Sequence, residues 1–211
     1  MAFGCSVRIA RLLAAIVSSC MLYSPAATHA SPGDTAADRE AALLHRRLDL
    51  SGVKQWNRAS STWQPAKIEP AGVYVVNLWS IQCKPCIEEF PLLKNVFAGW
   101  KTKPEVQFFF IADPPGETSE SETVAFWQKS QAALPDADPC RAETEDLRRI
   151  LEDGAEPITL LLDEQLVVRQ AFIGGLGNRP LARSIERLLR VVKEERVGSS
   201  KRKHGAGGKI Q

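Results

Sequence analysis

Histidine is scarce in these 211 residues, with only His29, His45 and His204, and beyond the first thirty positions only Cys83, Cys86 and Cys140 remain of the five cysteines. A structural zinc centre needs four nitrogen or sulfur ligands at recognisable spacing, and neither histidine of the later chain has a partner at such a spacing, which argues against zinc. An odd number of cysteines also argues against a framework built only of structural disulfides. No internal repeat is present, which excludes solenoid architectures. Gly174-Gly175-Leu176-Gly177 lacks the third glycine of a dinucleotide-binding loop and is followed by no strand, helix and strand, so it reads as a turn. Outside the N-terminus there is no long apolar run, and the one found there, Leu12 to Tyr23, is shorter than the roughly 20 residues a bilayer span requires.

That N-terminal run follows Arg8 and Arg11 and precedes the small-residue stretch Ser24 to Ala30, the pattern of a secretory signal peptide. Cleavage is expected near Ser31, with export to a bacterial periplasm or cell envelope. Val17-Ser18-Ser19-Cys20 has a weak likeness to a lipoprotein cleavage box, which would tether the protein to a membrane; Cys20 as an ordinary member of the apolar run is the preferred reading. Without the leader the chain carries 25 basic and 25 acidic residues. Five of the basic ones (Arg196, Lys201, Arg202, Lys203 and Lys209) fall in an acid-free tail, so the body has no basic face for nucleic acid. In an oxidising compartment a cysteine is either bonded or redox-active.

The organisation expected is a signal peptide over 1–30, a linker over 31–48 that runs into a short element with Leu43, Leu44 and Leu48 at loosely helical spacing, one α/β domain over 49–195 and a disordered basic tail over 196–211. Asp49 to Pro70 is polar and rich in turn formers, with Trp56 and Trp63 as anchors onto the core. Val73 to Trp79 is a dense run of β-formers, suited to a central strand covered on both faces. Ile87, Phe90, Leu93, Phe97 and Trp100 then recur at helical spacing, and Glu105 to Ala112 is a second strand. Strand, helix and strand in that order imply a parallel pair with a right-handed crossover.

A capping box, Ser119 to Glu122, opens a helix through about Leu134, and Thr144 to Asp153 forms a short one ending at Gly154. Ile158 to Leu162 and Leu166 to Ile173 make an antiparallel hairpin, and Arg179 to Glu195 a last helix with Asn178 as its cap.

Cys83-Lys84-Pro85-Cys86 sits between the first strand and its helix, where four effects converge. A separation of three residues puts both sulfurs on one side of a helical turn, within disulfide reach. The free N–H groups and the positive end of the helix dipole stabilise a thiolate at Cys83. Lys84 adds a cation, and such influences bring a cysteine pKa from about 8.5 to roughly 3.5–7.5. Pro85 is tolerated in a first turn, where its missing N–H has no partner to lose. One reactive sulfur backed by a resolving one is the consequence.

The stretch from Val76 to Pro91 resembles the active-site segment of the thioredoxin superfamily, and within it the exported TlpA/ResA-like group. Gly154 to Asp163 is similar to the family segment that contains a cis-proline. The resemblance spans roughly residues 72 to 192 and implies a central mixed sheet flanked by helices on both faces. It implies that Pro157 is cis and faces the cysteines, with Glu156 and Pro157 offering backbone to a substrate segment that pairs as an added strand. It also assigns Trp79 to the substrate side and makes Glu89 an active-site carboxylate. No cofactor or metal is implied, and a monomer is expected.

The implied substrates are proteins with cysteines or disulfides, such as apocytochrome c (hence cytochrome c maturation) or metalloprotein cysteines, with a membrane or periplasmic electron donor. Three positions depart from the family pattern. Gln82 replaces a tryptophan, Glu156 replaces a small or apolar residue, and Asn77 stands where thioredoxins place a buried aspartate. Asparagine cannot take up a proton, which leaves Glu89 as the group for proton handling near Cys86.

A thiol-disulfide oxidoreductase, running as a reductase, is therefore the leading expectation. A copper-handling protein using the same two soft ligands is an alternative. A thiol peroxidase is another, although the peroxiredoxin proline-threonine-cysteine loop is absent. Cys140 reads as a lone loop thiol, Glu88 as a solvated first-turn acid and Lys84 rather as a flexible surface side chain, while Glu89 reads equally as an active-site group or as a solvated first-turn acid.

Overall fold

The structure, a computed structural model, describes residues 35–112, 120–130, 137–152 and 157–205. The leader, the capping-box residue Ser119, the stretch around Leu134, and Gly154 and Glu156 lie outside the described residues.

The centre is β3 (Val73–Trp79), every residue of which is buried. It pairs in parallel with β4 (Val106–Ala112) and antiparallel with β6 (Ile158–Asp163), which in turn pairs antiparallel with β7 (Val168–Ile173). Helix α2 (Lys84–Trp100) makes the crossover from β3 to β4. Side-chain alternation divides the strands between two cores. Val73, Val75 and Trp79 join Phe90, Leu93 and Val96 of α2, Trp127 of α3 (Glu120–Lys129) and Ile185, Leu188 and Val192 of α5 (Leu181–Gly205). Tyr74, Val76 and Leu78 meet Leu147 and Ile150 of α4 (Glu145–Glu152) and Leu43 of α1 (Ala36–Leu43) on the opposite face. A sheet clothed on both sides is why β3 reads as continuously apolar.

Several elements differ from the expectation. The sheet has seven strands in the order β2-β1-β5-β4-β3-β6-β7, because β1 (Val53–Asn57), β2 (Thr62–Pro65) and β5 (Pro139–Ala142) extend it beyond β4. The hairpin of β1 and β2 sets Trp56 opposite Trp63, their rings edge to face at 5.5 Å. Such a cross-strand aromatic pair contributes about 0.5–1.5 kcal/mol beyond its area. Cys140 is therefore a strand residue, aligned with Ile111 on β4 and Gln55 on β1, and not a loop thiol.

The region read as a linker contains α1, opened by Thr35, whose hydroxyl oxygen accepts the Asp38 N–H. Leu43 and Leu48 enter the core, and residues 45–48 run along β7, with His45 N–H donating to Val168 O and Leu48 N–H to Leu166 O. The ordered body thus starts before Asp49.

The last helix begins at Leu181 rather than at Arg179, its first N–H bond running from Ser184 to Pro180 O. It continues to Gly205, so 196–205 is helical where a disordered tail was expected. Lysine and arginine are good helix formers and no proline interrupts the segment. No helix among the described residues is long and apolar enough to cross a membrane.

Candidate active site

Helix α2 starts where β3 leaves the sheet, and Cys83 is its N-cap. The Cys83 backbone O accepts N–H bonds from Cys86 and Ile87, and its Sγ lies 3.2 Å from the Cys86 N–H. A sulfur at this point faces the unpaired amides and positive dipole end of a 17-residue helix, an arrangement that favours a thiolate when the pair is reduced. Cys83 and Cys86 form a disulfide with Cα atoms 5.3 Å apart. Exposure is unequal: Cys83 keeps 9% of its surface and Cys86 only 1%. An incoming sulfur therefore meets Cys83 first.

The flanking residues divide sharply. Lys84 projects into solvent with its Nζ 3.6 Å from Glu88 Oε1, so its charge is shared with a neighbouring acid instead of being directed at the disulfide. Pro85 is exposed in the first turn, as expected of a proline there. Pro91 lies on the exposed side of the same helix.

Glu89 stands one turn beyond Cys86 and is 8% exposed. Neither of its carboxylate oxygens has a hydrogen-bond partner. Burial raises its pKa from 4.5 to about 7; the Leu176 amide, facing it without reaching hydrogen-bond geometry, and the Arg179 charge oppose that shift without cancelling it. A carboxyl group that titrates near neutrality is matched to moving protons at ordinary pH.

Above Glu89 lies the turn that follows β7. Gly174 and Gly175 adopt φ of 73° and 91°, and both N–H groups donate to Pro157 O, at 3.0 and 3.3 Å. A side chain on Gly175 would begin 3.5 Å from Pro157 Cγ and 3.7 Å from Glu89 Oε2. The positive φ at both positions is what favours glycine here, the approach itself being ordinary van der Waals contact. Pro157 and Glu89 are thus brought together against one turn, as no local sequence signal required.

Trp79 is the clear correction among the site residues. Its side chain is wholly enclosed, with ring centroids 5.4 Å from Phe90 and 5.1 Å from Trp127. It offers no surface to a substrate and belongs to the aromatic centre of the core. Asn77 is also buried, its Nδ2 donating to Thr159 Oγ1 at 3.0 Å while its Oδ1 has no partner. Among the described residues no group of three or more histidine, cysteine, aspartate or glutamate side chains is placed to hold a metal ion.

Cys140 is buried at 1% exposure, and burial, reinforced by Asp138, pushes its thiol up to about 12 although the Phe110 backbone opposes the shift. It is inert as a nucleophile in the folded protein.

No family model matches the chain, and no curated protein does either. Solved structures do resemble it. A thiol:disulfide interchange protein of the thioredoxin family from Chlorobium tepidum TLS superposes with a TM-score of 0.50 at 17% identity, over 68% of this chain and 97% of that one. A thiol:disulfide interchange protein from Bacteroides sp. gives 0.50 at 14% identity, over 70% and 90%. The fold is thioredoxin-like, with the mixed sheet and two helical layers that the resemblance implies.

Proposed function

We propose that this protein is an exported thiol-disulfide oxidoreductase that acts on protein cysteines and works as a reductase in the periplasm or cell envelope. The observation that carries this reading is a disulfide at the N-cap of α2 whose first residue, Cys83, keeps 9% exposure while its second, Cys86, keeps 1%. The signal-peptide pattern of the first thirty residues supports export. A thioredoxin-like fold supports the chemistry only by analogy, so the geometry of the sulfur pair must bear the argument.

In the reduced protein, the Cys83 thiolate attacks one sulfur of a substrate disulfide. The substrate S–S bond breaks, a Cys83–substrate disulfide forms, and the first substrate sulfur departs as a thiolate that takes up a proton. Cys86 then gives its proton to the Glu89 carboxylate and attacks Cys83 Sγ. The mixed disulfide breaks, the second substrate sulfur leaves as a thiolate, and protonated Glu89 returns the proton to it. Two electrons pass from the Cys83/Cys86 dithiol to the substrate disulfide. A membrane or periplasmic donor restores the dithiol.

Pro157 and Glu89 pack against the same glycine turn, and the residues just before β6, a strand itself paired on both sides, are the proposed docking edge for a substrate segment. Glu156, adjacent to Pro157 in sequence, belongs to the same proposed docking edge.

Insulin reduction by the purified protein and trapping of a mixed disulfide by Cys86→Ser test the proposal. Failure of Cys83 to exchange with any protein disulfide overturns it. Equilibration of the pair with glutathione fixes the direction, a reductase lying on the reducing side of that couple.

A further inference from the structure

Arg179 and Glu40 lie outside both the cysteine motif and the proline segment, yet they hold the turn that covers them. Arg179 Nη1 donates to Glu40 Oε1 at 2.5 Å, while Nη2 donates to Ile173 O at 3.0 Å and also to Gly175 O. The guanidinium rests over the Phe172 ring at 4.9 Å. Glu40 Oε1 also accepts the Ile173 N–H at 2.8 Å, so one carboxylate ties both the end of β7 and the arginine. The pair is only partly exposed, with side-chain exposures of 35% for Arg179 and 27% for Glu40. The arginine fork therefore clamps the carbonyls on either side of Gly174, and Gly174 and Gly175 in turn grip Pro157 O and abut Glu89.

We propose that Glu40 and Arg179 are a positioning pair for the redox site: through the Gly174–Leu176 turn they keep water from Glu89 and hold Pro157, so that α1 governs proton transfer at Cys86. This inference rests on the oxidoreductase reading above. Among the described residues the charged groups around Glu89 are few. Arg179 faces it from the turn, with Glu40 of α1 behind that arginine. Lys84 and Glu88, on the helix of Glu89 itself, are engaged with each other in solvent. Pro157 of the β6 side carries no charge, and Glu156 before it lies outside the described residues.

Loosening the clamp admits water to Glu89 and brings its titration back toward the ordinary carboxylate range. Glu40→Ala removes the anchor of the arginine. Arg179→Lys keeps the charge but loses the fork that spans two carbonyls.

The test is a carbon-13 carboxyl NMR titration of the full chain in its disulfide form, with the Glu89 resonance assigned by its loss in Glu89→Gln. It is repeated in a Glu156→Gln background to remove that neighbouring acid. Both clamp variants are expected to lower the Glu89 midpoint by ~1 pH unit, and in mixed-disulfide resolution the rise of rate with pH moves down by the same amount. Arg169→Lys, which weakens an ion pair to Asp163 and Glu195 elsewhere on β7, serves as the structural control and leaves that midpoint in place.

If the clamp variants titrate within ~0.3 pH unit of the unaltered protein, or if Arg169→Lys moves Glu89 as far as they do, the pair has no positioning role. Because the titration needs no substrate, it still reports if no mixed disulfide ever forms, and that second outcome overturns the oxidoreductase reading instead.

Discussion

Cys83 and Cys140 are the same side chain in opposite settings. Cys83 caps a helix, with backbone N–H groups and a helix dipole directed at it and a second sulfur within bonding distance. Cys140 lies in a short strand between β4 and β1, enclosed by the core, with its thiol pushed up to about 12 by burial. Reactivity here belongs to the position and not to the residue: the one site supplies charge stabilisation and access, and the other withholds both.

The largest expected contrast is in turnover. Cys83→Ser should abolish insulin reduction, whereas Cys140→Ser should leave it intact; a loss of activity in both would break the comparison. Alkylation sharpens it next. In the reduced, folded protein at pH 8, iodoacetamide should label Cys83 at least ~10³-fold faster than Cys140, the thiolate fraction of the buried thiol being minute. Peptide mapping after quenching measures this, and denaturant should erase the difference.

Glu89 extends the contrast to protons. Glu89→Gln should slow resolution of the mixed disulfide ~10²-fold and remove its dependence on pH near 7. Its effect on stability has the opposite sense. The folded-state pKa lies above the unfolded value, so the folded protein holds a proton that the unfolded chain releases between pH 4.5 and about 7. Stability is then full below the unfolded pKa and declines as pH rises through the folded one. Relative to Glu89→Gln, the parent protein should lose ~3 kcal/mol between pH 4 and 8, a figure that denaturant titration reads directly. The smallest effect is at Cys140 itself, where Cys140→Ser places a hydroxyl in an apolar site at a cost of ~1–3 kcal/mol. A neutral outcome would mean that the strand offers the hydroxyl a partner.

Much of the framework was legible because its elements are long and strongly patterned. Val73 to Trp79 could hardly be other than a covered strand, and the apolar spacing from Ile87 to Trp100 marked α2. Strands of four and five residues carry too little pattern to stand out, which is why β1, β2 and β5 look like turns and loop in the sequence.

The cysteine pair followed from local spacing, and Glu89 from the family resemblance. Arg179 and Glu40 did not, since their contact joins positions 139 residues apart and neither sits in a motif. The glycine pair after a strand was visible, but nothing local said that it would close over Pro157. Trp79, expected on the substrate side from the family resemblance, lies instead in the aromatic core, and in a strand covered on both faces alternation alone does not say which layer a side chain enters.

The strip formed by residues 45–48 has a practical consequence. It occupies the outer edge of β7, with Arg47 bridged to Val167 and Val168 N–H donating to Arg46 O. A fragment trimmed to begin at Asp49 would bare that ladder of amides and carbonyls together with the apolar patch beneath Leu43. It would emerge as a sticky, self-associating product whose poor behaviour says nothing about the chemistry of its sulfurs.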